Sequence, residues 1–297
     1  MEIPTHETLP DNDPQLPAAR RRQSERSLFG PLTIDERSRA FEEAVRRASP
    51  SFDFFLYSLF SGAVIASGLL FDSVYLLLLG VMISPPMAPV VGVALGTSLG
   101  SGRHFARSLA GFMLGALFVF ITGWLAGLAA AGQTASLHQA SNHAQLQWPA
   151  IVLLAVSGAL TAATSVREGG NSEVPSFLAA YGLYVPLSIA GFGLSSGVPH
   201  LWPDGLVLFA IHLSWTTLCA TVTLALMGFR PPTMFGYSLS AAVLLGGFLV
   251  FLGFTGAGAA FGAHLGLPSL TPSPTSPPTA TFTPSNTPTR PPTGTPT

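Results

Sequence analysis

Lysine is absent from this 297-residue chain, and all 13 basic residues are arginine. Charge of either sign is scarce: Asp, Glu, Lys and Arg together supply 9% of the residues, where a soluble domain carries about 25%. So little charge cannot solvate the surface of a soluble globule, which places the chain among integral membrane proteins. The net charge of −1 gives no reason to expect a nucleic-acid partner. The one cysteine, Cys219, lies in an apolar run and excludes an intramolecular disulfide. No apolar stretch precedes residue 52, so no signal peptide is expected. Nor does any Asp, Glu or Arg occupy the central part of an apolar run, which argues against a pump driven by buried carboxylates. No nucleophile–base–acid set, phosphate loop or metal template is visible, so neither enzymatic activity nor a cofactor is expected. His138, His143 and His200 match no metal-ligand spacing.

Long apolar runs are what the chain does contain. Crossing hydrocarbon takes about 20 residues of helix. Seven runs qualify, at roughly 54–71, 74–99, 108–131, 149–166, 176–196, 205–227 and 235–256. They predict an all-α, polytopic membrane helix bundle of about seven transmembrane helices. Arginines precede the first run and follow the second, fourth and sixth, whereas the connections 72–73, 132–148 and 197–204 have none. The positive-inside rule then puts the N-terminus inside and, with seven spans, the C-terminus outside the plasma membrane. Trp148 and Trp202 fall at the outer ends of their runs, as an interfacial belt requires.

Composition divides the chain into four parts. Residues 1–32 are polar and read as a disordered cytoplasmic segment. Residues 33–50 read as an amphipathic helix, opened by a Thr33–Glu36 capping box and ended by Pro50. Its Ile34, Phe41, Val45 and Ala48 share a face that suits either the inner membrane surface or the bundle. Residues 51–264 form the transmembrane domain. Residues 265–297 are rich in Pro, Thr and Ser, and predict an extended external tail.

"GVMISPPMAPVVGVALG", residues 80–96, breaks the apolar pattern with Pro85, Pro86 and Pro89. Each proline in a helix interior removes a backbone donor and costs on the order of 3 kcal/mol. Ten residues from Val74 carry the chain ~15 Å, so the break falls near the bilayer midplane. Ser84 then reads as an N-cap with Pro85 at the first position of a second half-helix. The fifth run repeats the layout, with Pro186 ten residues after Ser176. Runs 1–3 and 4–6 would be oppositely oriented. An inverted 3+3 repeat with broken second and fifth helices follows, its site at the midplane. Ordinary proline kinks are the competing account of the same residues.

Two further features are local. Gly92/Gly96/Gly100, Gly111/Gly115, Gly123/Gly127 and Gly193/Gly197 are spaced for close helix packing, within one chain or in a homo-oligomer. His212 and Trp215 lie inside the sixth run. An ionisable side chain there is either functional, as a proton relay, or a neutral imidazole bonded to a neighbouring helix.

With "GVMISPPMAPVVGVALG", "RSLAGFMLGALFVF" and "LFAIHLSWTTLCATVTLALMGFRPP", the chain resembles the multi-pass membrane family catalogued as domain of unknown function 389 over about residues 52–232. It departs from that pattern where Leu187 follows Pro186, and at His212, where the resemblance implies an asparagine-rich stretch. The resemblance implies a polytopic fold and brings no activity with it.

Transport is therefore the leading expectation: a transporter-like or channel-like protein for a small anionic, zwitterionic or neutral solute. Ser84, Pro85, Pro86, Pro89, Tyr184, Pro186, Ser188 and His212 would supply its site, with the lipid bilayer as partner. The alternative is a non-transporting scaffold or sensor that displays the external tail.

Overall fold

The computed structural model describes residues 34–48, 51–131, 137–167, 173–198, 200–230 and 234–254. The segments 1–32 and 265–297 lie outside the described residues, as does Thr33 of the expected capping box. Every regular element among the described residues is an α-helix. In chain order these are α1 (Ile34–Ala48), α2 (Phe52–Leu70), α3 (Val74–Ile83), α4 (Ala88–Ser98) and α5 (Gly102–Ala130). They continue with α6 (His138–His143), α7 (Trp148–Ser165), α8 (Glu173–Ser196), α9 (Leu201–Leu226) and α10 (Met234–Phe254).

The all-α expectation holds, and this is a multi-pass membrane protein. Five helices are long and apolar enough to cross a bilayer, and six spans result if α3 and α4 count as one broken span. The expected seventh run corresponds to α10, whose apolar stretch is Gly236–Gly247. Leu56, Phe60, Leu114, Leu125, Val152 and Val156 are exposed on α2, α5 and α7. That much outward apolar surface suits contact with hydrocarbon and not with water.

α8 is the centre of the bundle: 78% of its apolar stretch is buried, against 39–44% for the other four single-helix spans. Close approach to α5 is built on glycines. A Cβ on Gly123 would collide with the Ser188 carbonyl, one on Gly127 with that of Phe192, and one on Gly191 with that of Phe120. The Gly123/Gly127 pair therefore serves packing within the chain, as does Gly115, which lies against Phe54 and Ser58 of α2. Gly100 turns the chain between α4 and α5 at φ +65°, a left-handed conformation, and its α-carbon face abuts Gly236 of α10.

The arginines mark one end of the bundle. At one end, Ala40, Phe41 and Ala44 of α1 pack with Val91, Leu95, Val166 and Phe229. The amphipathic helix thus rests on the bundle. Arg103, Arg107, Arg167 and Arg230 belong to the helix ends and connections on this side. At the other end, Asp72 in the α2–α3 turn accepts a hydrogen bond from the Gln139 backbone N–H at 2.7 Å, tying α6 to that turn.

Candidate functional site

The first proline cluster breaks its span as expected, with α3 and α4 meeting at 61°. The details differ from the sequence reading. Ser84 ends α3 as its C-cap in an extended conformation, and α4 starts at Ala88 behind Met87. The reason is steric, because a residue that precedes proline is pushed out of the helical region. This applies to Ser84 before Pro85 and to Pro85 before Pro86, so no helix starts at Pro85. Ser84 N–H turns to the Val81 carbonyl at 3.0 Å, which leaves the Gly80 carbonyl without its helical partner. Ser61 of α2 supplies the missing donor, its hydroxyl reaching Gly80 O at 2.7 Å.

The expected second break is absent. α8 runs through Pro186 without interruption. One proline frees a single carbonyl four residues earlier, here that of Gly182. His212 of α9 donates its Nδ1–H to that oxygen at 2.6 Å. The lost backbone bond is thereby replaced from a neighbouring helix, and the helix stays whole. Three prolines in five positions remove too many donors for one side chain to repair.

The eight expected site residues do not converge. Ser84, Pro85 and Pro89 are buried at the break and Pro86 is exposed. Tyr184 is fully buried and faces α2, where its hydroxyl meets Ser58 Oγ at 3.1 Å. Since Ser58 donates to the Phe54 carbonyl, Tyr184 is the donor of that pair. Ser188 packs against Gly123. Of the eight, Pro186 and His212 line one described cavity together.

This cavity, of about 170 Å³, lies between α7, α8 and α9. Exposed Asn142, Gln145 and Gln147 stand at its mouth. Gly182, Val185, Pro186, Leu208 and buried His212 line the interior. Because Nδ1 donates to Gly182, Nε2 of the neutral ring is an acceptor, and it is buried without a hydrogen-bond partner.

On the wall, Tyr181 bonds His143 Nε2 at 2.5 Å, while His143 Nδ1 bonds the Gln139 carbonyl at 2.8 Å. A carbonyl only accepts, so His143 donates through Nδ1, and in the neutral ring Nε2 accepts from the Tyr181 hydroxyl. α6 is thus pinned over the cavity from two sides, by Asp72 and by Tyr181. Two polar bonds hold the surrounding helices in register: Trp215 Nε1–H to the Ile151 carbonyl at 2.9 Å and Ser157 Oγ to the Pro175 carbonyl at 2.7 Å.

Tyr181, Gly182 and His143 were not among the expected site residues. A signal existed: Leu178, Tyr181, Gly182 and Val185 follow the i, i+3, i+4, i+7 rule for one helix face.

The family model for a domain of unknown function, DUF389, matches residues 81–252, more than half of the chain. The chain belongs to the DUF389 family. In this DUF389 protein the match takes in the proline break, the whole cavity and most of α10, and it leaves out α1 and α2. No curated protein and no solved structure matches the chain.

Proposed function

We propose that this DUF389 protein is transporter-like or channel-like for a small anionic, zwitterionic or neutral solute, and that it binds the solute in the cavity between α7, α8 and α9. One observation carries the reading: exposed Asn142, Gln145 and Gln147 form a polar mouth on a cavity set among the spanning helices, with His212 among its lining residues. The site lies at the unbroken fifth span and not at the broken second one.

The inverted repeat is part of this proposal. In its favour, the middle span of each half packs on the third span of the other, α4 on α9 and α8 on α5. The first span of each half packs on the third of its own, α2 on α5 and α7 on α9. The proposed topology has the arginine-bearing end inside, the cavity mouth outside and the plasma membrane as location. The proposed role involves no catalysis, cofactor or nucleic acid, and glycine-mediated homo-oligomer contacts are not needed for it.

Cysteine accessibility tests the reading. Single cysteines replace Ala150 and Leu178, both in the cavity wall, in a Cys219→Ala background. A membrane-impermeant thiol reagent should label both from the mouth side of sealed vesicles, and should leave Ser84→Cys and Ser188→Cys unlabelled. If the cavity positions stay unlabelled from either side while Asn142→Cys reacts, the cavity is closed to water. The non-transporting scaffold then replaces transport.

A further inference from the structure

We propose that a groove between α10 and the core of the bundle holds one acyl chain of an anionic phospholipid from the arginine-side leaflet. The groove encloses about 330 Å³ and shares no lining residue with the solute cavity. Helices α4, α5 and α9 supply one side of it, Phe105, Leu109 and Leu218 among them, and Val243, Leu244 and Gly247 of α10 supply the other.

The way α10 attaches creates the groove. At its start Gly236 abuts Gly100 backbone to backbone, and one turn on Ser240 donates to the Thr97 carbonyl. Two turns further, a Cβ on Gly247 would meet only Ser214, at 4.0 Å. The neighbours of α9 within the core come much closer: a Cβ on Gly158 of α7 would stand 2.7 Å from the Thr216 carbonyl oxygen. Helix α10 is thus held at its arginine-side end and stands off from α9 beyond it.

Chemistry selects the occupant. No Arg, Asp, Glu or His lines the groove. Thr97 and Thr221 spend their hydroxyls on the Val93 and Thr217 carbonyls of their own helices, at 2.9 and 2.7 Å. Water or a polar solute would find few partners there. Hydrocarbon is at hand, since Phe105, Leu109, Leu213 and Val243 are only half-buried. Val222 and Leu245, next in the chain to Thr221 and Leu244, are exposed. The groove therefore continues the lipid-facing surface inward, and a chain in it restores dispersion contacts that an empty groove forfeits.

Depth and charge select the leaflet and the headgroup. At ~1.5 Å per residue, Thr221 lies ~8 Å from the end of α9 that leads to Arg230, and Phe105 ~3 Å along α5 from Arg103. Both arginines are exposed. A chain in the groove brings its headgroup to the level of these guanidinium groups, which favour a net anionic headgroup over a zwitterionic one.

Photolabelling of the full chain in liposomes tests this. The probe is phosphatidylglycerol with a diazirine midway along one chain, and adducts are mapped by mass spectrometry. Leu218 and Leu244 should be labelled more strongly than Leu114 and Val152, which are exposed on α5 and α7. Unlabelled phosphatidylglycerol should compete at the groove better than phosphatidylcholine does. Gly247→Phe and, from the opposite wall, Leu109→Trp should each cut labelling of Leu218 roughly tenfold by filling the space. Unchanged labelling of Leu114 and Val152 shows that each variant is folded.

Equal labelling of the groove and the outer surface, or labelling that both fillers leave untouched, overturns the site. Equal competition by phosphatidylcholine overturns the anionic assignment. Absent groove label with normal outer label gives the groove to protein, a second copy or the segment after Phe254, and overturns the lipid. None of these results bears on solute entry through the other cavity, so the transport reading stands or falls separately.

Discussion

The Nδ1 of His212 repairs the backbone of α8 at Gly182, while its Nε2 is buried with no hydrogen-bond partner. The repair predicts a coupling between residues on different helices. His212→Ala should destabilise the protein by about 1–3 kcal/mol, because it leaves a buried carbonyl without a donor. Pro186→Ala restores the backbone N–H that a helix aims at Gly182. In that background, His212→Ala should cost distinctly less. A double-mutant cycle read by thermal unfolding in detergent micelles measures the difference. Equal costs in both backgrounds would show that the imidazole does not stand in for the missing N–H.

At the scale of elements, the two proline sites show how many lost donors a helix survives. α8 loses one and finds a replacement from α9, so it remains straight enough to sit at the centre of the bundle. The α3–α4 span loses three in five positions and separates into two helices, with Ser61 rescuing the Gly80 carbonyl. Helix spacing gives a second expectation. Gly123→Ala forces a methyl against the Ser188 backbone, which cannot rotate away, and should cost about 1–3 kcal/mol through overpacking. Gly246→Ala meets nothing within 4 Å and should be neutral or stabilising by up to about 1 kcal/mol, since alanine is the better helix former. Thermal unfolding of the two variants side by side checks the contrast. A Gly123→Ala protein as stable as the parent would mean that α5 and α8 are not packed backbone to backbone.

For the whole molecule, the prediction concerns sidedness. The arginines of α1, α5 and the 167 and 230 connections gather at one end, and the cavity mouth with α6 is at the other. The proposed topology, by the positive-inside rule, has the first end in the cytoplasm. In intact cells expressing a Cys219→Ala background, Asn142→Cys should react with an impermeant maleimide. Arg103→Cys should react only after permeabilisation. The reverse pattern would invert the topology and turn the cavity mouth to the cytoplasm.

The class of protein, most of the spanning helices and the first break were legible in the sequence. Those follow from local quantities: how much charge a stretch carries, how long an apolar run is, how many backbone donors prolines remove. The distinction between Pro186 and the Pro85–Pro89 cluster was only half legible. A lost donor shows in the sequence, but its replacement comes from His212, 30 residues beyond the carbonyl it serves. The same limit hid the site. Ser188 and Tyr184 look equivalent to Pro186 along the chain, yet they face α5 and α2 while Pro186 faces the cavity. The packing of the helices settles which glycines lie against a neighbour within the chain and which buried polar atoms, His212 Nε2 among them, keep no partner. Both depend on what stands across from a residue, and hydropathy and spacing do not encode that.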